Sequence, residues 1–193
     1  MHMKLLDIET LAKGTPRQRE AYDTLKNLKL FELLRAESPV LAGTIPLDLD
    51  VETSDLDIIC SAENLEAFSE KVKRNFAHEV GFSIEFKLIR NRPTVLARFR
   101  AGTFPVEIFA QDASVFTQPA VLHMLIEARL LAFAPREAKE KIRELKRGGM
   151  KTEPAFAKCF EIEGDPYEEL LKISRQPDHE ILMITHRFRF SLP

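Results

Sequence analysis

The sequence has few cysteines, no excess of charge of either sign and no long hydrophobic run. Its 193 residues include two cysteines, Cys60 and Cys159, which exclude a disulfide-rich scaffold and lack the spacing of a metal site. We therefore expect a reducing, cytoplasmic environment. The formal net charge of −2 argues against a general electrostatic attraction to nucleic acid, although it permits a local basic patch.

The absence of a long apolar run also bears on membranes. No stretch is long enough to cross a bilayer and no secretory signal is present, so we expect no membrane association. In the opening Met1-His2-Met3 we interpret Met1 and His2 as residues added before a native Met3. Hydrophobic residues make up 45% of the chain and charged residues 30%, as is typical of a globular protein of one domain or of a core with a helical appendage.

The N-terminal half alternates between helical and strand patterns. These patterns predict a helix beginning at Thr15-Pro16, a short helix over residues 30–36, strands over 40–42 and 54–60, and a helix over 62–76. Three further strands with short turns, between residues 81 and 110, predict an antiparallel meander. The turns of this meander are expected at Asn91-Arg92-Pro93 and at Ala101-Gly102-Thr103.

The C-terminal half is predicted to be helical. Helices are expected over residues 116–133, from 135 to Gly148-Gly149, over 153–160 and over 167–173, while the segment after Pro177 fits no single type. This order predicts an α+β fold, with a mixed β-sheet flanked by helices and a C-terminal helical region. We expect a core over residues 1–115 with a helical region over 116–193 packed on it, or one compact domain as the alternative.

Two aspartates alternate with apolar residues in the second predicted strand. Residues two apart share a strand face, so Asp55 and Asp57 lie on one face while Leu56 and Ile58 enter the core. Neighbouring carboxylates repel each other unless a cation lies between them. Oxygen ligands suit Mg²⁺, with Mn²⁺ as an alternative. A polar face on an edge strand is the competing explanation.

Two other features strengthen the metal-site hypothesis. Glu107 lies in the middle of a strand between Val106 and Ile108, where a charge is unfavourable unless it is at an edge or serves a function. We take it as the third carboxylate. Gly43-Thr44 ends the first strand, and glycine allows close backbone approach, so N–H groups there can hold phosphate oxygens. A plain turn is the alternative.

At this point the chain resembles the DNA polymerase beta-like nucleotidyltransferase superfamily. That pattern is an apolar residue, Gly, Ser or Thr, about ten residues, an acid-apolar-acid motif and an acid on a later strand. The matching parts are Leu41-Ala42-Gly43-Thr44, Asp55-Leu56-Asp57-Ile58-Ile59 and Glu107. Thr44 replaces the commoner serine but keeps the hydroxyl. A narrower resemblance, to an uncharacterised bacterial family of that fold, is carried by Gly43-Thr44-Ile45-Pro46-Leu47, Ser54-Asp55-Leu56-Asp57-Ile58-Ile59-Cys60 and the later Glu107-Ile108-Phe109-Ala110-Gln111.

The resemblance implies a nucleotidyltransferase-like sheet and metal-dependent transfer of a nucleoside monophosphate from a nucleoside triphosphate to a hydroxyl-type acceptor. Asp55 and Asp57 would bind two Mg²⁺ ions that bridge the triphosphate, and Glu107 would share the catalytic metal and help to activate the acceptor. Gly43-Thr44 would hold the β- and γ-phosphates. Ser54 either adds a hydroxyl contact or simply starts the strand. The small, nearly neutral chain favours a small-molecule or protein acceptor over RNA.

Three polar residues interrupt the apolar pattern of residues 116–133. They are Gln118, His123 and Glu127, of which the last two are four residues apart and share a helix face. One interpretation is a polar wall of the active-site cleft that contacts nucleotide or acceptor. The other is a buried hydrogen-bonded pair that orients the helix.

Arginines on the meander form a second group of candidates. Arg98 and Arg100 share one strand face, and Arg90 and Arg92 are expected in the preceding turn. They either neutralise phosphate charge or form a solvated face. Arg98 faces Glu107 across the hairpin only for one of two turn lengths, three or four residues.

Two other functions compete with nucleotidyl transfer. One is a non-catalytic nucleotide-binding or partner-binding protein on the same fold, like a member of a toxin–antitoxin pair. The complete set of Asp55, Asp57 and Glu107 argues against it, because a degraded site is expected to lose an acid. The other is a phosphohydrolase, which ranks last because the sequence has no histidine metal cluster.

Overall fold

The computed structural model describes residues 5–190, so Met1-His2-Met3 lies outside the described residues. The chain divides into two compact units. The first contains the residues up to Asp48 together with Thr53–Val121, and the second contains Leu49–Glu52 and the residues from Leu122 onward. None of the described helices is both long and apolar enough to cross a bilayer.

The first unit contains a five-stranded sheet and its supporting helices. The helices are α1 (Pro16–Asn27), α2 (Leu30–Leu33) and α3 (Leu65–Phe76), with 3-10 turns at Ile8–Lys13, Arg35–Glu37 and Val115–Thr117. The strands are β1 (Val40–Ala42), β2 (Leu56–Ser61), β3 (Val80–Ile89), β4 (Arg92–Ala101) and β5 (Phe104–Gln111). These bounds confirm the predicted α+β class with a mixed sheet.

The strand order across the sheet is β1-β2-β5-β4-β3. Strands β3, β4 and β5 form the predicted antiparallel meander, and β1 pairs antiparallel with β2. The pairing of β2 with β5 is parallel and brings Asp57 opposite Glu107. This one parallel contact positions the candidate acids on adjacent strands, although they are far apart in sequence.

One face of the sheet carries the hydrophobic core. Every second residue of the central strands is buried there, packed with the apolar sides of α1 and α3, as illustrated by Leu56, Ile58, Val106 and Ile108. Burial of such side chains contributes roughly 1.5–3 kcal/mol each. Because strand side chains alternate, the polar residues between them must point to the opposite face. The sheet therefore presents Asp57 and Glu107 away from this core.

Helix α1 begins as the sequence predicts, but one of its residues does more than cap the helix. The Thr15 side chain accepts a hydrogen bond from the N–H of Gln18, whose own side chain accepts from the Thr15 N–H. Gln18 is buried and also donates through Nε2 to the carbonyl oxygen of Ile45 at 2.8 Å. It thereby ties α1 to the connection that follows Gly43-Thr44.

Two predicted boundaries in the sheet were wrong. The β3–β4 turn consists of Arg90 and Asn91, both with positive φ, so Arg92 and Pro93 lie in β4. Two successive residues with positive φ make the mirror-image turn that matches strand twist. Strand β2 begins at Leu56 rather than at residue 54, because the chain is still completing the preceding connection there.

The second unit is helical. Helix α4 (Pro119–Phe133) begins in the first unit, and the remaining helices are α5 (Arg136–Arg147), α6 (Thr152–Cys159), α7 (Pro166–Ile173) and α8 (Asp178–Phe190). The predicted start of α4 at residue 116 was wrong, because a 3-10 turn and Gln118 precede it. The segment after Pro177, for which the sequence favoured no type, is helix α8.

Candidate functional site

Three carboxylates meet on the polar face of the sheet. Asp57 and Glu107 are register partners on β2 and β5, and Asp55 immediately precedes β2. One ligand oxygen from each of the three lies within 4.8 Å of the others, and all three side chains are partly buried. The geometry therefore brings together the three acids that the sequence singled out, and no other group of this kind occurs among residues 5–190.

Gly43 is adjacent to this group. Its φ is +77°, and a Cβ added to it would be 2.6 Å from Oδ2 of Asp57. Both facts require glycine here, because side chains disfavour positive φ and a methyl group cannot approach a carboxylate oxygen so closely. Since Ala42 pairs with Asp57, β1 delivers the Gly43 backbone directly to the edge of the acidic group.

Thr44 and Ser54 close the connection between the two parts of the motif. Both are buried, and the Thr44 hydroxyl donates to Ser54 Oγ at 3.2 Å. Ser54 thus anchors the end of the connection rather than starting β2. Ile45 is buried and bonded to Gln18, so the connection is held at both sides. Sequence reasoning missed Gln18, although its place three residues after Thr15 is a capping-box signal.

Arg98 contacts the acidic group through Glu107. Its Nε donates to Glu107 at 2.6 Å and its Nη1 donates to Glu85 at 2.8 Å. The hydrogen bond to Glu107, and then that to Glu85, raises the pKa of Arg98 above its ordinary value. Ala101 pairs with Phe104, so the β4–β5 turn has the four-residue form, with Gly102 and Thr103 at its centre. This resolves the sequence alternatives in favour of the Arg98–Glu107 ion pair.

The three carboxylates fit a divalent cation on chemical grounds. They supply hard oxygen ligands that converge on one volume, and Arg98 offsets part of the negative charge through Glu107. The backbone of Gly43 lies beside Asp57 without a side chain in the way. Asp55, Asp57 and Glu107 could therefore hold Mg²⁺ or Mn²⁺, with the remaining ligand positions open to water or phosphate.

Gln118 is buried, and its hydrogen bonds go to backbone carbonyl oxygens rather than to the three acids. Its Nε2 donates to the carbonyl oxygens of Cys60 and Ala113, at 2.9 and 3.1 Å. Because both partners are acceptors, the amide orientation is fixed with Oε1 turned away from them. Oε1 is buried without a hydrogen-bond partner in the part of the chain that the structure describes.

His123 and Glu127 belong to the second unit. The His123 ring contacts the Tyr167 carbonyl oxygen at 2.9 Å and Glu153 at 3.2 Å, so its partners are not Glu127. Burial, and then the nearby Glu153 charge, raises the pKa of Glu127 to about 8, although Lys146 acts in the opposite direction. These contacts orient helices within the second unit.

The fold is shared with solved nucleotidyltransferases. Cid1, an RNA terminal uridylyl transferase, has a TM-score of 0.52 and 14% identity, with 82% of this chain and 49% of that chain covered. Cid1 poly(U) polymerase with Mg and 3′-dATP bound has a TM-score of 0.52 and 16% identity, with 82% of this chain and 49% of that chain covered. A cytoplasmic RNA terminal U-transferase has a TM-score of 0.52 and 15% identity, with 82% of this chain and 48% of that chain covered. This chain thus has a nucleotidyltransferase-like fold and spans about half the length of these structures.

Sequence comparisons give a different kind of match. No curated protein sequence matches the chain. A domain family described as a domain of unknown function, DUF4269, matches residues 23–173. That range includes Gly43, Asp55, Asp57 and Glu107, together with most of both units. The match covers well over half of the sequence, and the chain therefore belongs to the DUF4269 family.

Proposed function

We propose that this protein is a metal-dependent nucleotidyltransferase that moves a nucleoside monophosphate from a nucleoside triphosphate to a hydroxyl-bearing acceptor. The observation that carries the proposal is the convergence of Asp55, Asp57 and Glu107 beside a glycine that has no room for a side chain. Carboxylates on a sheet face are common, but three with oxygens within 4.8 Å repel one another, and a cation between them offsets that repulsion.

Each residue of the site has a role that follows from its position. Asp55, Asp57 and Glu107 hold the divalent cation, with Mg²⁺ as the first choice and Mn²⁺ as the second. When bound, the cation supplies charge neutralisation for the attacking and leaving oxygens. Gly43 presents its backbone to the β- and γ-phosphates, and Thr44 with Ser54 keeps that backbone in place.

The transfer step balances without a further reactant. The acceptor hydroxyl oxygen bonds to the α-phosphorus, while the bond from that phosphorus to the bridging oxygen breaks and pyrophosphate leaves. The hydroxyl proton passes to Glu107 or to solvent. Arg98 supports this role, because its ion pair fixes the orientation of Glu107 while leaving the carboxylate beside Asp57.

The solved neighbours add support for the nucleotide. One of them holds Mg and 3′-dATP, which agrees with a nucleoside triphosphate and a divalent cation as ligands here. Those neighbours act on RNA, but this chain spans about half their length and shares 14–16% identity with them. A small-molecule or protein acceptor therefore stays our proposal, in keeping with the net charge of −2.

Isothermal titration calorimetry with ATP, GTP, CTP and UTP, each with Mg²⁺, tests the proposal. We expect saturable binding of at least one nucleotide and at least about a hundredfold weaker binding in Asp55→Asn/Asp57→Asn, because two metal ligands are lost. Asp112→Asn is the matched control, since Asp112 is exposed and outside the acidic group. Absence of binding to all four nucleotides, or equal binding by the double variant, contradicts the proposal.

A further inference from the structure

A cavity of about 330 Å³ lies on the same sheet face as the three acids. Ile59 and Phe109 line it, and each follows an acid of the site by two residues, Asp57 on β2 and Glu107 on β5. Residues two apart share a face and are about 7 Å apart along a strand. The cavity therefore begins next to the acidic group, and all its lining residues belong to the first unit.

The walls of this cavity are mostly apolar and held in place. Its apolar lining consists of Ile59, Ile89, Phe109, Ala113, Pro119 and Ala120. Gln118 fixes one wall through its hydrogen bonds to the carbonyl oxygens of Cys60 and Ala113. Gln111 fixes another through Nε2, which donates to Thr94 Oγ1 at 2.8 Å and more weakly to the Ile89 carbonyl oxygen. A pocket with such walls is formed before any ligand arrives.

The charged residues that line the cavity are positive. Arg90 and Arg92 line it, and no acidic residue does so among residues 5–190. Both arginines are exposed, one in the β3–β4 turn and one at the start of β4. An anionic group at this rim gains charge-assisted hydrogen bonds, whereas a cationic group meets repulsion.

We infer that this cavity, lined by Phe109 and Arg92, binds the acceptor, a small molecule with an apolar ring, an anionic group and a hydroxyl. The inference rests on the proposed function. The ring packs against Ile59 and Phe109, the anion faces Arg90 and Arg92, and the hydroxyl extends the roughly 7 Å toward Asp57 and Glu107. In the transfer step the oxygen of this hydroxyl replaces pyrophosphate on the α-phosphorus.

A pair of probe molecules separates this chemistry from general apolar binding. Para-hydroxyphenylacetate has the ring, the hydroxyl and an anion, whereas tyramine has the same ring and hydroxyl with a cation. Saturation-transfer NMR on the full chain measures binding of each without nucleotide or metal. We expect a signal from para-hydroxyphenylacetate and none from tyramine.

Three variants locate the binding site. Arg92→Ala is expected to weaken binding of para-hydroxyphenylacetate about tenfold, because it removes a charge-assisted contact. Arg100→Ala is the matched control, since Arg100 is an exposed arginine of the same strand that does not line the cavity. Ala120→Phe fills the cavity from an exposed position in the first turn of α4 and is expected to abolish the signal.

The outcomes distinguish this inference from the proposed function. Retention of the probe signal in Asp55→Asn/Asp57→Asn and in the presence of Mg²⁺–ATP supports an acceptor pocket. Displacement of the probe by Mg²⁺–ATP overturns the inference, because the cavity then holds the nucleobase. Equal signals from both probes, no signal from either, or equal loss in Arg92→Ala and Arg100→Ala also overturns it. Probe binding without any nucleotide binding contradicts the proposed function while supporting the ligand chemistry of the cavity.

Discussion

Asp55, Asp57 and Glu107 converge on the polar face of the sheet and are partly buried, whereas Glu127 and Glu153 lie among the helices of the second unit. Both groups bring like charges together. The first is partly exposed, and Arg98 forms an ion pair with its Glu107, an arrangement that leaves room for a bound cation. The second contains a fully buried carboxyl, Glu127, whose raised pKa favours a bound proton.

Burial decides whether the repulsion between neighbouring carboxylates is relieved by a bound cation or by a bound proton. Burial, followed by the Glu153 charge, raises the pKa of Glu127 to about 8. Burial acts in the same direction on Glu153, but its hydrogen bond with His123, a backbone hydrogen bond and nearby positive charge together outweigh burial and lower the pKa of Glu153. One carboxyl therefore keeps its proton while its neighbour stays ionised. Like charges thus orient helices in the second unit, whereas in the first unit we propose that they bind a cation.

The largest expected effect is on the pH dependence of stability. Folded Glu127 keeps its proton up to about pH 8, whereas the unfolded chain releases it near the ordinary value of 4.5. Between these values the folded state binds more protons, so its stability falls as pH rises. Glu127→Gln removes this loss, and its unfolding free energy relative to the wild type should grow by several kcal/mol between about pH 5 and pH 8.

Urea denaturation at a series of pH values measures this difference. The charged groups that act on Glu127 are Glu153 and Lys146, and both remain in the variant. Glu163→Gln is the control, because Glu163 is an exposed glutamate of the same unit, and its stability should follow the wild type at every pH. If the difference in unfolding free energy between Glu127→Gln and the wild type stays constant across this pH range, Glu127 is ionised in the folded protein.

The next effect concerns the glycine beside the acids. Gly43→Ala should lower the free energy of unfolding by about 3 kcal/mol, from strain at positive φ and from the contact with Asp57. Gly81→Ala is the matched control, since Gly81 has φ +71° and nothing within 4 Å of an added Cβ. It should lose about 1 kcal/mol from strain alone. Equal losses in denaturant unfolding would mean that Asp57 does not restrict this position.

A smaller effect is expected from relief of repulsion in the acidic group. Asp57→Asn should raise the free energy of unfolding by about 1 kcal/mol in buffer with a chelator, because one of three adjacent charges is removed. Added Mg²⁺ should reverse the order, since only the wild type gains stability from binding the ion. Denaturation with and without Mg²⁺ measures both values. The idea fails if Mg²⁺ stabilises the wild type and Asp57→Asn equally, with Asp112→Asn as the control.

The smallest effect is expected at Arg98. Arg98→Ala should lower the free energy of unfolding by no more than about 1 kcal/mol, because its ion pairs with Glu107 and Glu85 are partly exposed. The loss should shrink as salt rises, since exposed charges are screened. Arg100→Ala, on the same strand, should show a smaller loss. A loss that does not change with salt would indicate that Arg98 acts through packing.

Local patterns in the sequence predicted most elements and the identity of the acids. Thr15-Pro16 predicts the start of α1, and the alternation around Asp55-Leu56-Asp57 predicts which residues enter the core. Glu107 was identified because a charged residue in the middle of a strand, between apolar neighbours, is unfavourable unless it is at an edge or serves a function. These features depend on neighbouring residues alone, which is why sequence reasoning could find them.

The relations between distant segments could not be predicted. The parallel register of Asp57 with Glu107 depends on the path of the whole chain between them. The side chain of Gln18 reaches Ile45 across the fold, and no local pattern contains that contact. The two-residue turn at Arg90 and Asn91 was missed because proline is common in turns, and Pro93 was therefore assigned to the turn. Proline also occurs near the start of a strand, where the structure places Pro93.

Binding of Mn²⁺, followed by electron paramagnetic resonance of the free ion, tests the central claim most directly. The claim is that Asp55, Asp57 and Glu107 form a divalent-cation site, and the measurement requires neither a nucleotide nor an acceptor. We predict saturable binding by the wild type and by Asp112→Asn, and at least about tenfold weaker binding by Asp57→Asn and by Glu107→Gln. Equal binding by all four proteins, or no binding by the wild type, would contradict the claim.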